Sequence, residues 1–220
     1  TKKIIKIGLP VATLNTLFAF VNMFLGRTAS TVGGHIGLMA MTTSGQIEAI
    51  TWNTSQGFST ALSAFVAQNY AARKISRVMK ALKSTLYMTL VFGTLCSLLF
   101  IFSGNNVFAI FVPEKEAYEA GGLALRIDGY SQLFMMLEIV IQGVFYGMGR
   151  TIPPAIISIS CNYLRIPMAM LFVSFGWGLP GIWWTICITS IIKGIIILIW
   201  FLTIKKKTLD KLAKQEIETY

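Results

Sequence analysis

Five ionisable side chains, Glu48, Asp128, Glu138, Arg165 and Lys193, lie inside stretches otherwise made of apolar residues. At membrane depth a charged group costs at least a few kcal/mol, so each one suggests a held partner, a watery cavity or the handling of an ion. Asp128, Ser131, Met135, Glu138 and Gln142 follow one another at intervals of 3, 4, 3 and 4 and share one helix face. Glu48, Trp52, Ser55 and Ser59, at intervals of 4, 3 and 4, form a second such stripe. With about 1.5 Å of rise per residue, Glu48, Asp128 and Arg165 fall roughly 10–15 Å below the outer surface, and Glu138 and Lys193 roughly 20–25 Å. Each layer therefore holds both signs of charge.

Two kinds of chemistry fit these residues. As structural elements, Asp128 and Arg165 would form a charge pair locking the bundle, and Lys193 is the candidate partner of Glu138. As functional elements, an acid would exchange a proton or bind Na⁺ or a cationic solute. The residues expected to line a substrate or ion cavity are Glu48, Trp52, Glu138 and Gln142, with Trp52 offering a cation–π face. Glu138→Gln is expected to reduce transport more than folded yield.

Other chemistry finds little support. There is no Ser/His/Asp or Cys/His arrangement, Walker loop or dinucleotide fingerprint, so no catalytic residue and no enzymatic activity is expected. Cys96, Cys161 and Cys187 lie in apolar stretches with no CxxC and no zinc spacing, and His35 reads as a loop residue, so no metal site is expected. Gly143 and Gly147 have the spacing of closely approaching membrane helices rather than of a phosphate loop. No cofactor is implied.

The elements that must position the charges follow from composition. The chain of 220 residues is 55% hydrophobic and only 13% charged, with a mean hydropathy of +0.67. Residues 7–26, 28–47, 49–72, 84–113 and 166–192 contain no Asp, Glu, Lys or Arg, and about 20 apolar residues suffice to cross a bilayer as a helix. The expected fold is all-α and polytopic, with six transmembrane helices over about 7–25, 36–69, 84–103, 121–149, 153–175 and 180–204. Residues 1–204 form this unit and 205–220 a basic tail.

The net charge of +10 is distributed by topology rather than gathered for nucleic acid, which is not an expected partner. Lys2, Lys3 and Lys6, then Arg73, Lys74, Arg77, Lys80 and Lys83, then Arg150, then Lys205, Lys206 and Lys207 occupy alternate connections, with Glu114, Glu116 and Glu119 in an opposite one. The positive-inside rule puts both ends of the segment in the cytoplasm. Residues 71–83 read as an amphipathic helix on the headgroup surface. Trp177, Trp183, Trp184 and Trp200 lie towards span ends, as interfacial aromatics do. A chain starting at Thr1 with no initiator Met reads as part of something longer.

One ordered series of motifs resembles a known family. Gly8-Leu9-Pro10, Gln56-Gly57-Phe58-Ser59, Phe65-Val66-Ala67-Gln68-Asn69-Tyr70, Gln142-Gly143, Gly147-Met148-Gly149-Arg150-Thr151 with Pro153-Pro154, Leu164-Arg165-Ile166-Pro167 and Gly181-Ile182-Trp183-Trp184 resemble the carboxy-terminal lobe of multidrug and toxic compound extrusion (MATE) transporters. The resemblance implies one six-helix lobe of a twelve-helix antiporter in a bacterial-type inner membrane. It further implies that the missing amino-terminal lobe is its partner, and that small, bulky, often cationic drugs or toxins leave in exchange for Na⁺ or H⁺. The sodium-coupled branch carries acids at positions that ungapped matching places at Phe18 and Met135, so its cation ligands do not transfer. Two alternatives stand beside this reading. One is a flippase of lipids or lipid-linked saccharides from the same superfamily. The other is a non-transporting membrane subunit pairing with a separate lobe.

Overall fold

The computed structural model describes residues 2–205, with side chains from residue 16 onward. Beyond Lys205, the expected basic tail lies outside the described residues. Five helices, and no strand among the described residues, make up the fold: α1 (Lys2–Ala71), α2 (Ile75–Phe111), α3 (Lys115–Gly147), α4 (Ile152–Ser174) and α5 (Gly178–Ile204).

α1 is two limbs, not one rod. Gly34 has φ 59 and ψ −145, a combination open to glycine and strained for any residue with a Cβ. The chain folds back there. A Cβ on Gly26 would lie 3.7 Å from Leu38, whereas twelve residues of straight helix span about 18 Å. Gly37 likewise abuts the Ala29 carbonyl. The segment over 26–35, left between the spans expected at 7–25 and 36–69, is therefore helical almost throughout: Thr28 and Thr31 turn their hydroxyls back onto the Phe24 and Arg27 carbonyls (both 2.9 Å), and a single glycine makes the bend.

The link over 71–83 also differs from expectation. Its amphipathic pattern is real, but it forms the first turns of α2, continuous with the span that follows. Ile75, Val78 and Leu82 are buried against Leu62, Val66, Phe145 and Phe201 instead of resting on lipid. Arg77, Lys80 and Lys83 remain exposed. No glycine or proline interrupts the helix before Gly93, and the protein's own apolar core captures the apolar face.

Two turns close alike. After α1, the Lys74 N–H donates to the Asn69 carbonyl at 2.8 Å with Arg73 at φ 58, and after α3 the Arg150 N–H donates to Phe145 at 2.8 Å with Gly149 at φ 71. Both are Schellman-type ends, which need one residue of left-handed backbone.

α3 is the central element. It packs against α1, α2 and α5, and its buried residues cover all of its surface except one stripe through Glu119, Leu123, Arg126 and Tyr130, as a helix flanked by three others requires. Gly143 and Gly147 let it approach α1: a Cβ on Gly143 would come within 2.5 Å of the Ser59 carbonyl, and one on Gly147 within 2.6 Å of that of Ser63. α2, α4 and α5 are long and apolar enough to cross a membrane, and with α3 packed among the helices they make this a multi-pass membrane protein. Trp183 is a correction to the interfacial reading of the tryptophans, being only 2% exposed and packed with Ile127, Ile182 and Cys187.

Candidate functional site

Packing α3 against three helices takes the polar residues of its buried face out of water, so each needs a hydrogen-bonding partner within the bundle. Glu138, 2% exposed, finds three. Lys193 of α5 lies 3.0 Å from its Oε2. Gln142 Nε2, one turn further along α3, donates to Oε1 at 2.6 Å, and the Ser158 hydroxyl of α4 donates to the same oxygen at 3.3 Å. Gln142 Nε2 also reaches Ser158 Oγ at 3.2 Å, and the Tyr146 hydroxyl approaches Gln142 Oε1 at 3.5 Å. This is a charge pair clamped by three helices.

The layer that holds Asp128 and Arg165 is built otherwise. Asp128 and Arg165, the expected charge pair, are both buried but form no ion pair with each other. Arg165 instead donates from Nε to Thr189 Oγ1 and from Nη2 to Ser190 Oγ, each at 3.0 Å. Asp128 Oδ1 is buried with no hydrogen-bond partner. The reason is steric and local. Arg165 lies on α4, whose contacts with α5 are extensive and with α3 slight, so hydroxyls on α5 are its nearest acceptors. Glu48, half-buried on α1, lies within electrostatic range of Asp128, Arg165 and Lys193.

The second stripe splits. Ser55 and Ser59 are buried against α3, while Trp52 is 46% exposed at the edge of that buried face. Thr51 completes the buried side by donating to Gln132 Oε1 at 3.1 Å. Outside Trp52 runs a face that the sequence shows and that none of the candidate residues captured. Thr42, Gln46, Asn53 and Thr60 are exposed, and with Ala49 and Gln56 between them they recur at intervals of 4, 3, 4, 3 and 4. Ser158, Thr189 and Ser190 were also missed; single hydroxyls in apolar helices give no signal until their partners are known. A hollow of about 380 Å³ opens between α1 and α4, lined by Phe24, Arg27, Thr31 and Met170 among others, with no acid in its wall.

An all-helical membrane lobe with a charged core and one exposed polar face describes a class of membrane protein, and comparison narrows it. The family model MatE matches residues 9–171. The chain belongs to the MatE family. It is 25% identical over 225 residues to "Probable multidrug resistance protein NorM" of Thermotoga maritima, covering 99% of this chain and 47% of that protein. It is 26% identical over 134 residues to "Protein DETOXIFICATION 34" of Arabidopsis thaliana, covering 60% of this chain and 25% of that one. Among solved structures, a multidrug resistance MATE family transporter of the MOP superfamily in its inward-facing conformation superposes with a TM-score of 0.83 at 20% identity, over 97% of this chain and 49% of the other. A MOP superfamily transporter from Pyrococcus furiosus, whose title reports a binding pocket of reverse polarity, superposes with a TM-score of 0.80 at 19% identity, over 96% of this chain and 47% of the other. These likenesses carry the fold. The chain spans about half the length of the NorM relative and of both solved structures.

Proposed function

We propose that the chain acts as one six-helix lobe of a secondary antiporter that exports bulky, cationic, often aromatic compounds in exchange for H⁺ or Na⁺. The observation that carries the reading is the exposed polar face of α1, Thr42, Gln46, Asn53 and Thr60 beside Trp52. Such a face is unsuited to lipid and suits a water-filled cleft shared with a second lobe. Alternating access between two related halves is a common transporter plan. Glu48, half-buried beside this face, supplies negative charge to the cleft, and Trp52 a cation–π surface.

Glu138 and Gln142, expected in the cavity wall, are assigned here to holding the lobe together, since Lys193 already neutralises the acid. The flippase alternative needs free cations to grip phosphate, and neither Arg165 nor Lys193 is free in this sense. The alternation of basic and acidic turns supports a plasma membrane of bacterial type with both ends of the segment cytoplasmic. Efflux by the full-length protein in proteoliposomes, under separate pH and Na⁺ gradients, tests the proposal. Trapping of labelled cationic dye that follows one gradient supports it. Protein that binds a separate lobe but moves no solute under either gradient would favour the non-transporting subunit.

A further inference from the structure

The core of the lobe holds three carboxyls and two cations, and they are unequally satisfied. Glu138 has Lys193 at 3.0 Å. Arg165, 7% exposed, rests on two hydroxyls rather than an acid. Asp128, 5% exposed, leaves Oδ1 without a hydrogen bond, although Arg165 lies within electrostatic range. One turn along α3, the Gln132 Nε2 is also buried and unpartnered.

An ionised carboxylate with one oxygen buried and without a hydrogen bond is disfavoured, whereas a neutral carboxylic acid tolerates the same place at a far smaller penalty. A guanidinium held by hydroxyl dipoles is likewise what a neutral neighbour permits. Loss of the proton would leave a carboxylate with an unpartnered Oδ1 in electrostatic range of an arginine whose hydrogen-bond partners are two neutral hydroxyls. Charge-assisted bonds to a carboxylate are roughly twice as strong as neutral ones, so Arg165 would move. We propose that Asp128 is a proton-carrying site of the lobe and that Arg165 is its internal counterion. Arg165 rests on Thr189 and Ser190 while the proton is bound, and crosses to the Asp128 carboxylate when it leaves.

The step balances simply. The O–H bond of the acid breaks, the proton passes to water on the open side, and the charge left behind is neutralised by Arg165 within the core. The charged and titratable groups facing Asp128 are Glu48 from α1, Arg165 from α4 and Cys187 from α5. On the α2 side, the Ser97 hydroxyl holds the carbonyl of neighbouring Gly129. Glu48, at the edge of the cleft-facing limb, is placed to pass the proton between Asp128 and water. Because Arg165 joins α4 and α5 in one state and α3 in the other, proton release alters how the helices are tied together. The inference rests on the transport reading for its use, but not for its detection.

Infrared difference spectroscopy on the full-length protein, titrated with acid and alkali, tests it. The spectrum should contain a carboxylic-acid C=O band that titrates and that Asp128→Asn removes; a band retained in full by D128N overturns the proposal. Should D128N fail to fold, the double variant Thr189→Val/Ser190→Ala, which removes the resting place of Arg165, should move the band's midpoint by about one pH unit towards acid. An unmoved midpoint also overturns it. pH-driven efflux that survives in D128N would sink this inference and leave antiport standing. Loss of the band in D128N with no efflux by the parent under any gradient would keep the proton site and remove the transport reading.

Discussion

Glu138 of α3 and Lys193 of α5 meet at 3.0 Å in the middle of the lobe, with side chains 3% and 12% exposed. Each helix thereby satisfies the other's most costly residue, and Gln142 and Ser158 fill the remaining lone pairs of the acid. Removing one partner of such a buried pair costs about 3–5 kcal/mol, because the survivor is left charged and alone, while replacing both with apolar groups is often neutral. Glu138→Gln should therefore lower folded yield and thermal stability in detergent as much as it lowers efflux, in contrast to what the sequence suggests. Glu138→Gln/Lys193→Met should regain most of that stability. A thermal-shift series on Glu138→Gln, Lys193→Met and the double variant decides the matter, and a double variant no better than the two singles would count against the clamp.

Trp52 projects from α1 outside the packed face, at 46% exposure. Trp52→Ala should leave folding intact and raise the KM for aromatic cations, by an amount matching a cation–π contact of about 0.5–2 kcal/mol. Trp52→Phe should recover part of the loss. Concentration-dependent efflux reads the split between KM and kcat, and equal behaviour of neutral and cationic solutes would refute the cation–π role.

Gly143 and Gly147 define how near α1 and α3 lie. A methyl group on Gly143 would press on the Ser59 backbone, and backbone cannot step aside as a side-chain tip does. Gly143→Ala should destabilise by about 1–3 kcal/mol, the range for overpacking, and Gly143→Val by more. Chromatographic monodispersity and thermal shift would show the graded loss.

Gly34 makes the opposite case. Its Cβ would meet nothing within 4 Å, but the backbone sits at φ 59. Any substitution should cost about 1–3 kcal/mol from strain alone. Gly34→Ala and Gly34→Gln should thus be equally destabilised, and a marked dependence on side-chain size would contradict the conformational argument.

Legibility differed between fold and site for a physical reason. Spans follow from runs such as 84–113, in which no charge occurs for the length of a bilayer crossing, and turns from glycine and basic residues at their ends. Boundaries were less legible. The 26–35 connection looked like a loop and is helical up to the bend at Gly34, and 71–83 looked like a helix resting on lipid but is packed on the core, since burial of Ile75, Val78 and Leu82 depends on Phe145 and Phe201, groups distant in the chain.

By itself the sequence determined that this is an all-α membrane chain, which residues are charged at depth, and which share a helix face. Periodicity and hydropathy are local, and they suffice for that. Only the tertiary structure decided the pairing. Depth placed Asp128 level with Arg165, but the rotation of α4 about its axis turned the arginine to Thr189 and Ser190 on α5. The same packing turned Lys193 onto Glu138. Asp128, read as a structural lock, leaves Oδ1 without a hydrogen bond, and Glu138, read as a cavity group, is clamped. Depth along a helix is written in residue number; which neighbour a side chain meets at that depth is set by helix rotation and crossing, which the whole bundle fixes.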